Sequence, residues 1–268
     1  MFKNLKPLQR EVHRALRFAP VQPYHFAAQE VQVPIMAGEA AMIAREYVIA
    51  FSLQDPAPPL ALVGVRQDTN AYVRPSGHWV ARYVPAHVRR YPFILADGPS
   101  PQSNGAAERQ FALMIVAEAP HLGESAGEPL FNSDGEPAPV LQKVRDVLIA
   151  MQRDTSRTLQ LVKQIQVADL LIERDLKVRT RVGAVFNLKG LRVIDAEKFA
   201  ALSAETLHDL HRSGALQLIQ AHLMSLSNLR DSPLIEGGPA VVAPSSDAIS
   251  FEGIDWSRLG RPADSTTH

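Results

Sequence analysis

The first half of the chain predicts β-structure, because its apolar residues come in short runs that proline and glycine interrupt. Residues 47–53, 60–65, 91–96 and 111–117 are such runs, rich in β-branched and aromatic residues. The proline-rich residues 54–59 separate the first two runs and predict that they form a hairpin with a long loop. Residues 78–84 predict a further strand, with Trp79, Ala81 and Tyr83 on one face and polar residues alternating with valines on the other.

The second half predicts helices, because its apolar residues recur at helical spacing. This spacing places one helix at about 140–151 and another at 155–171, with Asp154 or Thr155 as a cap between them. Residues 182–194 predict two short strands in a hairpin. Asp195 and Ser203 are predicted to begin two short helices, Gly214 to end the second, and residues 215–229 to form the last helix.

Strands in the first half and helices in the second predict an α+β fold, in which helices pack on a mostly antiparallel sheet. We expect residues 1–234 to form a single domain. Residues 235–268 are rich in proline, glycine and serine, and we expect them to form a mobile tail.

Composition excludes several classes of site. The 268 residues are 46% apolar and 21% charged, which is typical of a soluble globular protein. A formal net charge of zero argues against a nucleic-acid partner, and the lack of cysteine excludes disulfides and cysteine nucleophiles. With neither a signal-peptide core nor a run of about eighteen apolar residues, the sequence predicts no transmembrane segment and a cytoplasmic location.

The residues that can carry chemistry are densest between positions 69 and 97. Four residues there form a candidate anion site, since guanidinium groups bind carboxylate or phosphate in bidentate fashion: Arg82, His87, Arg89 and Arg90. The alternative is that these side chains pair with nearby acids or lie in solvent. The aromatic residues of the stretch are interpreted as core rather than as a base-stacking platform, with Trp79 and Tyr83 on the core face.

Histidines offer a second candidate, a metal site. His78 and His87 with a carboxylate can hold a catalytic metal, although no close histidine spacing accompanies them. His208 and His211 share a helix face, which we expect to be solvated, and His222 lies on the next helix. Nucleophile-elbow, P-loop and dinucleotide motifs do not occur, so the sequence identifies no cofactor.

Several blocks of residues carry a family resemblance. They are Asn70, Gly77 with Trp79, residues 83–86 (Tyr-Val-Pro-Ala) and residues 89–93 (Arg-Arg-Tyr-Pro-Phe). Further blocks lie at 129–135, 190–195 and 202–226. Together they resemble the bacterial SapC family over about residues 34–230.

The resemblance implies association with the paracrystalline surface layer of bacteria, an undefined biochemical activity and no catalytic residues to carry over. Family genes lie near those of outer-membrane receptors and flavin-dependent halogenases, which implies a role in nutrient uptake or metabolite modification. An unrelated permease shares the name, but the missing transmembrane segment argues against identifying this chain as that permease.

Two function hypotheses follow. One is an accessory protein that binds envelope or surface-layer proteins. The other is a soluble enzyme, a metal-dependent oxygenase or a peptide- or metabolite-modifying enzyme, in which His78, His87 and a carboxylate act while Arg89 or Arg90 binds an anionic substrate.

Overall fold

The computed structural model describes residues 1–20, 23–97 and 111–236, which form antiparallel sheets and helices. The strands are β1 Leu5–Pro7, β2 Arg17–Phe18, β3 Gln32–Pro34, β4 Val48–Ser52, β5 Leu60–Leu62, β6 Phe93–Asp97, β7 Phe111–Val116, β8 Leu122–Gly123, β9 Glu128–Pro129, β10 Leu171–Glu173, β11 Leu176–Arg179, β12 Val185–Leu188 and β13 Leu191–Ile194. The helices are α1 Arg10–His13, α2 Ala40–Ile43, α3 Ala86–Arg89, α4 Pro139–Val167, α5 Ala196–Ala200, α6 Ala204–Ser213 and α7 Ala215–Ser225.

The central sheet has five strands in the order β10-β13-β4-β5-β3, and every pairing in it is antiparallel. The predicted hairpin of β4 and β5 is confirmed, with Val48 opposite Leu62. Residues 48–51 are all buried, because helix α7 packs on β4. The α+β class is therefore confirmed, although β10 and β13 from the second half complete the sheet.

Helix α7 supplies much of the main core. Leu218 and Ile219 are almost fully buried in it, together with Phe51 of β4 and Ile165 of α4. Burying a side chain of this size contributes about 1.5–3 kcal/mol. The helix joins the long helix α4 to the central sheet.

A second apolar cluster lies under the sheet β1-β7-β6. Phe93 of β6 and Ile115 of β7 pack there against Leu141 and Leu148, which belong to the N-terminal half of α4. The C-terminal half of α4 enters the main core through Leu161 and its neighbours. Helix α4 therefore contributes to both clusters.

The predicted caps at Asp195, Ser203 and Gly214 are confirmed. Asp195 accepts hydrogen bonds from the amides of Glu197 and Lys198, and Ser203 accepts one from the amide of Thr206. Gly214 ends α6 at a φ of 98°, a conformation that favours glycine.

The predicted break in the long helix is wrong, since α4 runs unbroken from Pro139 to Val167. The hydroxyls of Thr155, Ser156 and Thr158 donate to the carbonyl oxygens four residues earlier. Hydroxyl groups that bond back in this way stay inside a helix instead of capping a new one.

The predicted hairpin at 182–194 is also wrong. The two strands exist, and Gly190 turns the chain between them at a φ of 74°. However, β12 pairs with β11, while β13 pairs with β10 and β4. The strands therefore enter different sheets.

The described part of the chain ends at residue 236, just inside the predicted tail. Leu234 and Ile235 are buried, and residues 237–268, which hold nearly all of the predicted tail, lie outside the described residues. The division of the chain at residue 234 stays a prediction. Among the described helices, none combines the length and the apolarity that crossing a bilayer requires.

Candidate functional site: an aromatic pocket beside Arg89

The predicted strand at 78–84 is wrong, because Trp79 forms an isolated antiparallel bridge with Val73 and the Glu46 carboxylate takes the amides of Arg82 and Tyr83. Glu46 accepts from the amides of Arg82, at 3.1 and 3.0 Å, and of Tyr83, at 3.3 Å. The amide of Val80 donates to the carbonyl of Tyr72 at 2.9 Å. The stretch is therefore an irregular, partly exposed segment, with Trp79 buried in the core and Glu46 holding its later amides.

Asn70 fixes the chain at residues 70–72, shortly before this segment. Its side chain is 2% exposed; Nδ2 donates to the Ala27 carbonyl at 3.0 Å, and Oδ1 accepts from the Tyr72 amide at 2.9 Å. Burial of these backbone groups requires such partners. Asn70 thus connects the segment to the N-terminal part of the chain.

Trp79 belongs to a buried aromatic group, so its predicted core role is confirmed. Its Nε1 donates to the Tyr47 hydroxyl at 2.7 Å, which in turn donates to the carbonyl of Tyr83. The rings of Tyr47 and Tyr72 stack at 4.4 Å. Burial raises the pKa of both tyrosines well above their usual value, so both stay protonated and donate.

Glu39 fixes helix α3, and its position was missed from the sequence. The carboxylate is 6% exposed and accepts from the Tyr83 hydroxyl at 2.8 Å, the Ala86 amide at 2.9 Å and the Met36 amide at 3.1 Å. Burial and this bond to Glu39 raise the pKa of Tyr83. An acid within the mostly apolar run 35–44 was the available signal.

A pocket of about 190 Å³ opens next to helix α3; we call it the aromatic pocket. Its walls come from three parts of the chain, the N-terminal region, α3 with Tyr91, and the segment after β7. The lining residues are Phe18, Pro20, Tyr24, Phe26, Val88, Arg89, Tyr91 and His121.

The rings of the aromatic pocket hold one another in place. Phe26 stacks on Tyr91 with centroids 4.1 Å apart, and His121 meets both rings edge-on at 5.3 and 5.2 Å. Burial raises the pKa of Tyr91. A rigid apolar wall of this kind suits a planar or aliphatic group.

Arg89 is the charged member of the aromatic pocket. Its Nε donates to the Val84 carbonyl at 3.0 Å and its Nη2 to the Tyr83 hydroxyl at 3.1 Å, with the guanidinium carbon 5.4 Å from the Tyr83 ring centroid. These contacts orient the guanidinium and leave further N–H donors for a ligand. No Asp or Glu is among the described residues that line the pocket, so the pocket favours an anion beside an apolar group.

The other predicted anion ligands lie elsewhere. Arg82 is exposed, whereas Arg90 is half-buried with its guanidinium carbon 5.0 Å from the ring centroid of Phe2. Phe2 also meets the ring of His87 edge-on at 5.3 Å. Burial lowers the pKa of Arg90 to about 10, and burial together with the Arg90 charge lowers that of His87 to about 3. His87 is therefore neutral near pH 7, and the predicted site is divided.

The histidines do not assemble as a metal site in the part of the chain that is described. His78 is exposed, His87 lies on α3, and no three His, Asp or Glu residues there lie close enough together to hold an ion. His208 and His211 are exposed on α6, as predicted. His222, on α7, is buried between the Ile49 carbonyl and the Ile194 amide.

Four pocket residues were missed from the sequence: Phe18, Tyr24, Phe26 and His121. The first three lie in a proline-interrupted region without periodicity, and His121 lies in a polar loop. Only the fold brings them to Arg89 and Tyr91, so no local pattern indicated them.

Of the comparisons with known proteins, the one with family models finds a match. The family model SapC matches residues 8–231, a range that includes every residue of the aromatic pocket. No curated protein and no solved structure matches the chain.

Proposed function

Because this chain belongs to the SapC family, we propose that it is a binding protein of the bacterial cell envelope or surface layer. Its partner contacts the aromatic pocket with an apolar group that carries, or lies beside, a negative charge. The observation that supports the proposal is that Arg89, whose guanidinium Val84 and Tyr83 orient, lines a pocket of aromatic rings. The link to the envelope rests on the family resemblance.

The size of the aromatic pocket favours an anchor group over a large metabolite. Its volume of about 190 Å³ lies below the roughly 300–1,000 Å³ of drug-sized ligand sites. A single side chain of a partner, or a small aromatic acid, fits this space. Aromatic anchors in such pockets supply much of the energy of protein interfaces.

Binding is favoured over catalysis because the chemistry-bearing residues serve structural contacts. Glu39 and Tyr83 bond to each other, and His87 packs against Phe2. The enzyme hypothesis has one observation in its favour, the imidazole of His121 in the pocket wall. Conversion of a bound probe by the protein would support it.

Small aromatic carboxylates test the proposal. We expect phenylacetate and indole-3-acetate to bind the full chain in an NMR titration, shifting signals of Phe26 and Tyr91, and the neutral amides of the same acids to bind at least about tenfold more weakly. The substitution Arg89→Gln is expected to remove this preference for the acid.

Arg82→Gln is the matched control, because Arg82 lies in the same segment, is exposed and does not line the pocket. It is expected to bind the acids as the unaltered chain does. Equal binding of acids and amides, or unchanged binding by Arg89→Gln, would contradict the proposal. Thermal unfolding of each variant shows whether the loss of the bonds to Val84 and Tyr83 has altered the fold.

A further inference from the structure

A second surface feature lies far from Arg89 in sequence, between strand β11 and the 3-10 turn Leu226–Leu229; we call it the basic groove. It has a volume of about 770 Å³. Its lining residues are Lys177, Arg179, Leu226, Ser227, Leu229 and Arg230. Lys177 and Arg179 are both exposed, since they alternate along β11 with the buried Leu176 and Val178.

The basic groove has an excess of positive charge. Lys177, Arg179 and Arg230 line it, whereas no carboxylate of the described residues does. Among the ion pairs of the described ranges, none includes these three cations. Two leucines lie beside the charges. The groove therefore suits a segment that is both acidic and apolar.

The described chain ends beside this groove. The Ile235 carbonyl accepts a hydrogen bond from the Arg181 amide at 2.8 Å, and Glu236 lies 4.0 Å from the Arg181 guanidinium. Arg181 follows Arg179, a groove residue, by two positions. Glu236 therefore lies close to the end of β11, the strand that forms one wall of the groove.

The sequence after Glu236 has the complementary character. Residues 237–257 contain no lysine or arginine, and positions 247–256 read Asp-Ala-Ile-Ser-Phe-Glu-Gly-Ile-Asp-Trp. Three acids alternate there with large apolar residues, Ile249, Phe251, Ile254 and Trp256. The ten residues between Glu236 and Asp247 span up to about 36 Å when extended, which is ample.

We propose that residues 247–256 dock into the basic groove of the same chain. The acids pair with Lys177, Arg179 and Arg230, and the apolar side chains cover Leu226 and Leu229. Each exposed ion pair contributes little, about 0.2–1 kcal/mol. The tether makes up for this weakness, because it holds the segment at an effective concentration in the millimolar range.

Disulfide trapping tests the docking, because the chain contains no cysteine. Ser227→Cys, in the groove, is combined with Ser250→Cys, in the segment. The control pair replaces Ser227→Cys with Ser76→Cys, an exposed serine outside the groove. We expect the groove pair to form the intramolecular disulfide about tenfold faster than the control pair, as followed by non-reducing electrophoresis. Equal rates would overturn the proposal.

Charge reversal shows whether the cations direct the docking. Lys177→Glu with Arg179→Glu is expected to slow the groove disulfide to near the control rate, as is high salt. Lys143→Glu with Arg145→Glu makes the same change in net charge at two exposed positions of α4, and is expected to leave the rate unchanged. If the groove variant keeps its rate, or the disulfide forms between chains in proportion to protein concentration, docking within one chain is wrong.

Discussion

At the scale of single residues, Asn70 has the clearest predicted effect on stability. Asn70→Ala leaves the buried Ala27 carbonyl and Tyr72 amide without their side-chain partner. We expect the free energy of unfolding to fall by about 2–4 kcal/mol, as measured by urea denaturation.

Asn132 provides the matched control for this change. Its side chain also accepts from two backbone amides, those of Asp134 and Glu136, but it is exposed, so water replaces the lost bonds. Asn132→Ala is expected to cost less than about 1 kcal/mol. Similar losses of unfolding free energy in the two variants would show that burial of the Asn70 contacts does not determine the size of the loss.

His222 predicts a dependence of stability on pH. Burial lowers the pKa of His222 to about 4 in the folded chain, against about 6.5 when unfolded. Below pH 6.5 only the unfolded state takes up this proton, so stability is lost as the pH falls towards 4. We expect His222→Gln to make the drop in unfolding free energy between pH 6.5 and about 4.5 smaller by about 2 kcal/mol.

His208→Gln is the control for this measurement, because His208 is exposed on α6. It is expected to keep the pH dependence of the unaltered chain. An unchanged drop in His222→Gln would mean that His222 titrates normally in the folded state.

The sequence predicted Arg89 as one of four candidate anion ligands, because a cluster of arginines is visible locally. The sequence did not show that Arg89 lines the pocket while His87 and Arg90 pack against another ring. That ring belongs to Phe2, at the start of the chain. Partners so distant in sequence leave no local pattern. The same holds for His121 in the aromatic pocket.

At the scale of elements, the strands made of longer apolar runs were predicted, whereas the short strands β1–β3 and β8–β11 and much of the strand pairing were not. β4, β5, β6 and β7 follow from short apolar runs, and the caps at Asp195 and Ser203 follow from residue type. Segment 78–84 has the alternation of a strand, yet Glu46 takes its amides. Competition from a distant carboxylate cannot be read from alternation alone.

Helix α4 yields a prediction at this scale, because Thr158 joins it to the turn before α2. Its hydroxyl is buried and accepts from the Ala37 amide at 2.8 Å. Thr158→Val keeps the shape and removes the acceptor, so we expect a loss of about 1–3 kcal/mol in urea. Ser156→Ala, which removes only an exposed bond within the helix, is expected to change stability by less than about 0.5 kcal/mol. Equal effects would contradict a role for the Ala37 contact.

At the scale of the whole molecule, α4 is expected to couple the two apolar clusters into one folding unit. Leu148→Ala removes a buried side chain from the second cluster, at a cost of about 2–5 kcal/mol. Trp79 lies in the main core, so with Trp256→Phe as the common background tryptophan fluorescence reports on the other cluster. We expect the fluorescence and circular-dichroism midpoints to fall together.

Val147→Ala is the matched control, because Val147 is adjacent on α4 and 57% exposed. It is expected to leave both midpoints nearly unchanged. Two separate transitions in Leu148→Ala, with the Trp79 midpoint unaltered, would instead divide residues 1–234 into independent units.

The measurement that tests the proposed function most directly is differential capture from the envelope fraction of the native host. The full chain, Arg89→Gln and Arg82→Gln are immobilised at equal density, and retained proteins are quantified by mass spectrometry. We predict that an envelope or surface-layer protein is retained by the full chain and by Arg82→Gln but lost with Arg89→Gln. Retention of the same proteins in the same amounts by all three would contradict a binding role for the aromatic pocket.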